Sequence, residues 1–270
     1  MFKPSTTARR IGLGLVFTTT LLGAALQVQA QTAVPGAIKV AMEVAYPPFE
    51  SYEGDKIVGF DPELAALLAR EMKLKPTLVD TKFGSLVLGL SGGQHDVVIS
   101  GLYITDERLA IADAVPYANT GALIMVAKDS ATQPKTENDL CGMKVGLQAG
   151  NYWVKKLASL STDYCKPNGK PPVTVAEFPT APEVSQALMS KNVQAQLEVA
   201  AAAKAFTAKS NGRIVISSPA PVYMQTLGIY MKKGNTALKS DFEKAMAAIQ
   251  KSGEYAALIK KYDLTPVAVK

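Results

Sequence analysis

Between residues 38 and 99, short apolar runs alternate with amphipathic helical patterns, and this order constrains the fold more than any other feature of the chain. Ile38–Val44, Thr77–Asp80 and Val97–Ile99 have the length and composition of strands. The first intervening helix is predicted to begin with Asp61 as N-cap and Pro62 at its first position, and a second helical pattern follows the second strand. A β-α-β-α-β succession with short connections predicts a parallel sheet covered on both faces, an α/β fold.

The stretch Val97–Arg108 contains the most informative charge in the chain. Its apolar start predicts a buried strand, and Thr105 is a suitable N-cap for a helix that places Arg108 in the first turn. A cation is disfavoured there by the helix dipole, so a negative group should compensate it. Two interpretations remain open: a structural pair with Glu107 or Asp113, or a bidentate grip on a ligand carboxylate.

The loop after the first predicted strand is a candidate binding segment. Two prolines, Pro47 and Pro48, end the strand, and Glu43, Tyr46 and Phe49 surround that end. Open α/β sheets bind ligands at the carboxyl ends of their strands. The alternative is that Tyr46 and Phe49 only fill the core.

The first thirty residues are predicted to be an export signal. A basic segment with Lys3, Arg9 and Arg10 precedes an apolar run, and a small-x-small site predicts cleavage after Ala30 and a periplasmic chain. The alternative, a membrane anchor, is disfavoured because the apolar run is rather short for a span. Removing the three basic residues lowers the formal net charge from +6 to +3, and such mild basicity does not indicate nucleic-acid binding.

The two cysteines, Cys141 and Cys165, are predicted to form a disulfide, since an even pair in an exported chain is typical of one. A metal site is less favoured because the single histidine, His95, is far away in sequence, and the spacing is not that of a C-x-x-C redox motif. His95 follows a glycine-rich turn and is interpreted as solvated. No cofactor is indicated.

The second half of the chain repeats the strand and helix alternation. Strands are predicted at Ala122–Val126, Lys144–Leu147, Val173–Phe178 and Val193–Val199, with helices between and after them. Gly150 and Asn151 follow the second of these strands, where backbone N–H groups could face an anion; a plain tight turn is the alternative.

Several motifs, taken together and in order, resemble the periplasmic amino-acid-binding proteins of ABC importers, the polar amino-acid solute-binding family. They are YPPFE (46–50), GFDPELAALLA (59–69), FGSLVLGL (83–90), SGLYITDER (100–108), VGLQAG (145–150) and KSGEYAALIKKYDL (251–264). The cysteine pair followed by GKPP resembles a branch of that family with a disulfide in the second lobe.

The resemblance implies two α/β lobes joined by two chain crossings, with a ligand enclosed between them. The crossings are expected near 117–121 and 223–227, so that lobe 1 comprises 34–117 and 228–270 and lobe 2 comprises 121–223. The implied partners are an amino acid or related small carboxylate and an inner-membrane ABC permease, and the chain is expected to be a monomer.

Site residues follow from the same resemblance. Arg108 matches the family arginine that binds the ligand α-carboxylate, and the segment with Ser100, Gly101 and Tyr103 would complete that grip. Walls around the ligand side chain are implied at Tyr46 and Phe83, and an acid reaching the ligand at Glu43. Gln148 and Asn151 fall on the lobe-2 loop that closes over the carboxylate.

The chain departs from the family pattern at three positions. Tyr103 replaces a small hydroxyl residue, and Asn151 replaces a threonine. Val199 replaces the aspartate that pairs with the ligand α-ammonium in the family, and an unpaired buried charge is costly. Either Glu43 or Glu198 then binds the ammonium, or the ligand lacks one.

Two other functions fit the same scaffold. A dehydratase-like enzyme would need a positioned acid or base, which Glu43 and Glu198 could supply. A ligand sensor for a membrane receptor would share every feature of a transport protein. Transport is the leading interpretation, and no catalytic residue is assigned.

Overall fold

The computed structural model describes residues 1–2 and 32–268. Most of the predicted export signal, including the cleavage site after Ala30, lies outside the described residues. Among the described residues, no helix is long and apolar enough to cross a membrane.

The described chain contains eleven strands and eight α-helices. The strands are β1 (Ala37–Met42), β2 (Ser51–Glu53), β3 (Lys56–Val58), β4 (Lys75–Asp80), β5 (Val97–Val98), β6 (Ala112–Ala127), β7 (Lys144–Gln148), β8 (Thr174–Phe178), β9 (Ala195–Val199), β10 (Ile214–Ile216) and β11 (Val222–Lys232). The helices are α1 (Phe60–Glu71), α2 (Leu86–Ser91), α3 (Asp106–Ile111), α4 (Tyr152–Leu160), α5 (Ala181–Met189), α6 (Ala200–Lys209), α7 (Thr236–Ser252) and α8 (Glu254–Lys261).

One sheet carries the fold, in the order β4-β1-β5-β11-β6-β9-β7-β8, with β10 also paired to β6. Strand β1 runs parallel to β4 and β5, and β7 runs parallel to β8 and β9. The long strands β6 and β11 lie between these two groups and pair antiparallel with each other. Each parallel group is therefore a separate α/β series, and the two central strands connect them.

We call the series built on β4, β1 and β5 lobe 1, and the series built on β9, β7 and β8 lobe 2. Helices α1, α2, α3, α7 and α8 pack in lobe 1, while α5 and α6 pack against the strands of lobe 2. Apolar faces drive this packing: Phe60, Leu64 and Leu68 of α1 are fully buried. The two-lobed α/β architecture agrees with the fold class that the sequence predicts.

Strand β6 is much longer than the segment Ala122–Val126 predicted from sequence. The sequence does not predict the first half of β6, because this part contains Pro116 and Gly121, which are rare within strands. Pro116 lies opposite Gly228, where the register of β6 against β11 shifts. Because the ladder is irregular at this point, the missing N–H of the proline is tolerated.

Asp61 is not the N-cap of the first helix, as the sequence suggested. The helix begins at Phe60 after Gly59, whose φ is 134°. The side chain of Asp61 is fully buried and accepts a hydrogen bond from the backbone N–H of Gly101 at 2.7 Å. A capping preference was thus overridden by a tertiary contact.

His95 is buried rather than solvated, with only 4 % of its surface exposed. Its Nε2 lies 2.7 Å from the carbonyl oxygen of Leu86, and a Cβ added at Gly89 would come within 2.3 Å of the ring. Burial also lowers the pKa of His95. The histidine therefore fixes α2 against the core. The glycine-rich turn before it indicated an exposed position, so the sequence did not predict this role.

Cys141 and Cys165 form a disulfide, which confirms the sequence prediction. Cys165 ends a single π-helical turn that continues α4, and Cys141 precedes β7. The bond ties the helix to the start of the lobe-2 strand that carries Gln148.

Candidate functional site

A small cavity lies where the carboxyl ends of strands from both lobes meet. It is lined by Glu43, Tyr46, Phe83, Ser100, Gly101, Leu102, Tyr103, Arg108, Gln148, Asn151, Tyr152 and Val199. Its free volume is about 10 Å3, about enough for one water molecule. Because residues from both lobes line it, any molecule larger than water can enter only if the lobes separate or the lining side chains move.

Arg108 enters the cavity from α3. Thr105 caps this helix, and its Oγ1 accepts a hydrogen bond from the Arg108 N–H at 3.3 Å. The Nη1 of Arg108 donates to the carbonyl oxygen of Tyr103 at 2.8 Å, and the guanidinium carbon lies 5.7 Å from the centre of the Phe83 ring. These contacts hold the guanidinium in one direction.

The acids that the sequence offered as structural partners of Arg108 are used elsewhere. Glu107 pairs with Lys155 at 2.6 Å, and Asp113 pairs with Lys233 at 3.2 Å. Among the described residues no ion pair involves Arg108. The guanidinium therefore faces the cavity with no protein carboxylate to neutralise its charge. Burial lowers the pKa of Arg108.

Glu43 lies just after β1, and only 7 % of its surface is exposed. Its Oε2 accepts a hydrogen bond from Gln148 Nε2 at 2.7 Å, and its Oε1 accepts one from the Phe83 N–H at 3.4 Å. Burial raises the pKa of Glu43, and these two donors oppose that rise. The bond to Gln148 also joins the two lobes.

Two buried carboxyl groups support the cavity floor from behind. The hydroxyl of Ser100 donates to Glu50 at 2.6 Å, and the N–H of Gly101 donates to Asp61 at 2.7 Å. Burial raises the pKa of both acids. The pKa of Asp61 rises only to about 6, because its hydrogen bonds with Glu50, Gly101 and Tyr117 favour the charged form. Besides their contact with each other, Asp61 accepts hydrogen bonds from the Gly101 N–H and the Tyr117 hydroxyl, whereas Glu50 accepts one from Ser100. The negative charge of the pair is therefore better stabilised on Asp61, which places the shared proton on Glu50.

Glycine is required at position 101. Its φ is 52°, in the left-handed region, and a Cβ there would lie 2.9 Å from the ring of Tyr46. The close approach lets Tyr46 pack over the loop. The floor is thereby fixed by the backbone of Gly101 and by the ring above it.

Glu198 lies behind the lobe-2 wall and does not line the cavity. The hydroxyl of Tyr46 donates to its Oε1, which also accepts the Val199 N–H at 2.9 Å, and its Oε2 lies 3.4 Å from Gln196 Nε2. Burial raises the pKa of Glu198 to about 7, although these donors favour its charged form. The residue that does line the wall here is Val199.

Nine of the ten predicted ligand-binding residues line one cavity, and Glu198 is the exception. Sequence reasoning missed the lining residues Leu102 and Tyr152 and the supporting acids Glu50 and Asp61. Tyr152 follows Asn151 directly, and its ring lies 5.8 Å from that of Tyr103. Position beside a predicted site residue could have identified Tyr152 and Leu102, whereas the role of Asp61 required a contact over forty residues.

At Gly150 and Asn151 the sequence is compatible with an anion site or with a plain turn. The side chain of Asn151 caps α4 by accepting the Trp153 N–H at 3.1 Å, and the Gly150 N–H lies 3.3 Å from Glu177. Arg108 Nη2 lies 3.5 Å from the Gly150 carbonyl oxygen. The turn therefore faces the arginine across the cavity.

Comparison with known proteins agrees with this geometry. The family profile for bacterial extracellular solute-binding proteins, family 3, matches residues 38–265. The L-cystine-binding protein TcyJ of Escherichia coli K12 is 31% identical over 233 residues, which cover 84% of this chain and 82% of that protein.

Two solved structures have the same architecture. An ancestral arginine-binding protein bound to arginine is 31% identical with a TM-score of 0.76, covering 84% of this chain and 98% of that one. The ancestral amino acid-binding protein AncCDT-1, described as a precursor of cyclohexadienyl dehydratase, is 26% identical with a TM-score of 0.70, covering 84% and 95%. The fold, the cavity between two lobes and the match over nearly the whole described chain establish that this protein belongs to the bacterial extracellular solute-binding proteins, family 3.

Proposed function

We propose that this chain is a periplasmic solute-binding protein that captures an amino acid or related small carboxylate between its lobes and delivers it to an ABC importer. The observation that carries this proposal is Arg108, a half-buried guanidinium held toward an interlobe cavity by the Tyr103 carbonyl and the Phe83 ring. Guanidinium groups bind carboxylates bidentately. Relatives named for binding cystine and arginine support the same function.

In this proposal Arg108 binds the ligand carboxylate, together with the segment Ser100–Tyr103. Gln148 and Asn151 close over the ligand from lobe 2, while Tyr46 and Phe83 form its side walls. Thr105 acts indirectly by capping the helix that carries the arginine.

Capture would involve a hinge motion. We propose that the chain crossings near 117–121 and 223–227 are the hinge, with lobe 1 spanning 34–117 and 228–270 and lobe 2 spanning 121–223. Both crossings fall within the long strands β6 and β11 or at their edges. The interlobe bonds Glu43–Gln148 and Tyr46–Glu198 would break on opening, and ligand would shift the population toward the closed form.

The cellular setting is part of the proposal. The extracellular family and the predicted signal with cleavage after Ala30 support a periplasmic location and an inner-membrane ABC permease as partner. We propose that the chain acts as a monomer. A sensor that presents the ligand to a membrane receptor would use the same closed form.

A thermal-shift panel tests the proposed function. Amino acids and small carboxylates should raise the unfolding temperature, because a ligand that binds only the folded chain stabilises it. Sugars and nucleosides of similar size serve as controls. A shift with these controls and none with any carboxylate would contradict the proposal.

Catalysis is the alternative that AncCDT-1 raises, since a binding protein of this fold is described as an enzyme precursor. Glu43 would be the acid or base, because it lines the cavity and burial raises its pKa. We propose binding without turnover. Proton NMR of a cyclohexadienyl carboxylate and of each bound ligand, followed overnight with the protein, should show no new product. A product that disappears in E43Q would favour the enzyme.

A further inference from the structure

The charges around the cavity point to the kind of ligand that it takes. Arg108 and Glu43 both line it, and among the described residues neither forms an ion pair. Placing an unpaired charge inside a protein is costly unless something compensates it. A ligand that carries one negative and one positive group would compensate both.

Glu198, the other acid considered for the positive group, is already engaged. Its Oε1 accepts the Tyr46 hydroxyl and the Val199 N–H, and its Oε2 faces Gln196. It also does not line the cavity. Glu43 is therefore the buried acid that a ligand can contact directly.

The lobe-2 wall offers no charge where the family pattern places the partner of an α-ammonium. Val199 lines that wall and is 2 % exposed. Tyr103, which replaces a small residue, also lines the cavity, and its buried hydroxyl has no hydrogen-bond partner among the described residues. An apolar wall with one phenol is a poor environment for an ammonium group.

We infer that the preferred ligand is a small zwitterion whose positive group is separated from its carboxylate and lies against Glu43, with no ammonium on the α-carbon facing Val199. This inference rests on the proposed function and names the ligand class of the same site. An ω-amino or ω-guanidino carboxylate has this arrangement.

Matched ligands test the inference on the wild-type protein by titration calorimetry. γ-Aminobutyrate, α-aminobutyrate and butyrate share one carbon chain, and desamino-arginine and arginine form a longer pair that differs only in the α-ammonium. In at least one series, the ligand whose only cation is the remote one (γ-aminobutyrate or desamino-arginine) should bind at least about tenfold more tightly than the ligand with an α-ammonium. γ-Aminobutyrate should also bind more tightly than butyrate.

The outcomes separate the two proposals. Tighter binding of the α-amino members, or equal binding of butyrate and γ-aminobutyrate, would overturn the inference and leave carboxylate capture intact. If no member of either series bound, and cystine and other carboxylates also failed to bind, the proposed function itself would be contradicted.

Two substitutions check the assignment of the residues. E43Q preserves the shape of the side chain and should reduce the preference for the remote cation over the plain carboxylate to nearly none. V199D restores the family acid and should improve binding of the α-amino members at least about tenfold. Unchanged ligand preferences in both variants, with unfolding temperatures close to wild type, would contradict the role of Glu43.

Discussion

The lobe-1 and lobe-2 walls of the cavity use their buried acids in different ways. Behind the lobe-1 wall, Asp61 accepts a backbone N–H from Gly101 of the same lobe. Behind the lobe-2 wall, Glu198 accepts the hydroxyl of Tyr46 from the opposite lobe. If the lobes separate as proposed, Asp61 keeps its backbone partner, whereas Glu198 loses the Tyr46 hydroxyl.

The same contrast holds for the groups that face the cavity. Lobe 1 presents both charges, Arg108 and Glu43, while lobe 2 presents amide, aromatic and aliphatic groups such as Gln148, Tyr152 and Val199. In the proposed function, lobe 1 would therefore hold a charged ligand by itself, and lobe 2 would add closure and selectivity. The following changes test this division.

The largest effect is expected from R108A, which removes the proposed carboxylate anchor of lobe 1. Loss of one partner of a buried charge pair costs about 2–5 kcal/mol of binding free energy, or at least about thirtyfold in affinity. Fold stability should change little because no ion pair of the described chain involves this side chain. Calorimetry of R108A, with the exposed Arg70 changed to alanine as control, would contradict the assignment if affinity were unchanged.

The interlobe acid Glu198 should make stability depend on pH. Its pKa is raised from the ordinary 4.5 to about 7, so the folded chain binds more protons than the unfolded chain between these values. The contribution of Glu198 to stability is then greatest below pH 4.5 and falls as pH rises toward 7, by about 3.5 kcal/mol at most, since one pKa unit equals about 1.4 kcal/mol.

E198Q should flatten that part of the pH profile, measured as the free energy of unfolding in urea. Asp61 and Glu50 contribute a slope of the same sign, which remains in the variant. The exposed Glu243 changed to glutamine is the matched control. A profile of E198Q as steep as that of wild type would argue against the raised pKa.

Removing the disulfide should weaken lobe 2 without changing which ligands bind. The bond joins residues separated by 24 positions, and the chain-entropy model gives about 3 kcal/mol for a loop of this length. The C141A/C165A double variant should unfold at lower urea concentration, while its ligand preference at a permissive temperature stays that of wild type. A changed preference would show that the disulfide shapes the cavity wall.

The smallest effect is expected from substitutions that distinguish Glu50 from Asp61, the two carboxyl groups behind the lobe-1 wall. In E50Q the amide can still accept from Ser100 and donate to Asp61, so stability should change by less than about 1 kcal/mol. D61N leaves the negative charge on Glu50, away from the Gly101 N–H and the Tyr117 hydroxyl. It should lower the free energy of unfolding by about 1–3 kcal/mol. Equal costs in urea unfolding would mean that the proton is not on Glu50.

Much of the site could be predicted from sequence because its residues follow strand ends in recognisable motifs. Glu43 directly follows β1, Gln148 ends β7, and the Thr105 cap places Arg108. The predictions of Asp61 as an N-cap and of a solvated His95 were wrong, and Glu198 does not line the cavity, for one shared reason. Each has a partner far away in the chain or on a neighbouring element, and local composition carries no information about that partner.

By itself the sequence determined the order of strands and helices, the disulfide and the motifs of the family, because periodicity, capping and residue spacing are local properties. The tertiary structure decided which charges face the cavity. Arg108 faces the cavity without a carboxylate because Glu107 and Asp113 pair with lysines, and Glu43 lines the cavity beside the amide of Gln148. Glu198 lies outside the lining, where the Tyr46 hydroxyl from the opposite lobe reaches it. Burial and competition among hydrogen-bond partners depend on all the contacts at once, and only the folded chain brings them together.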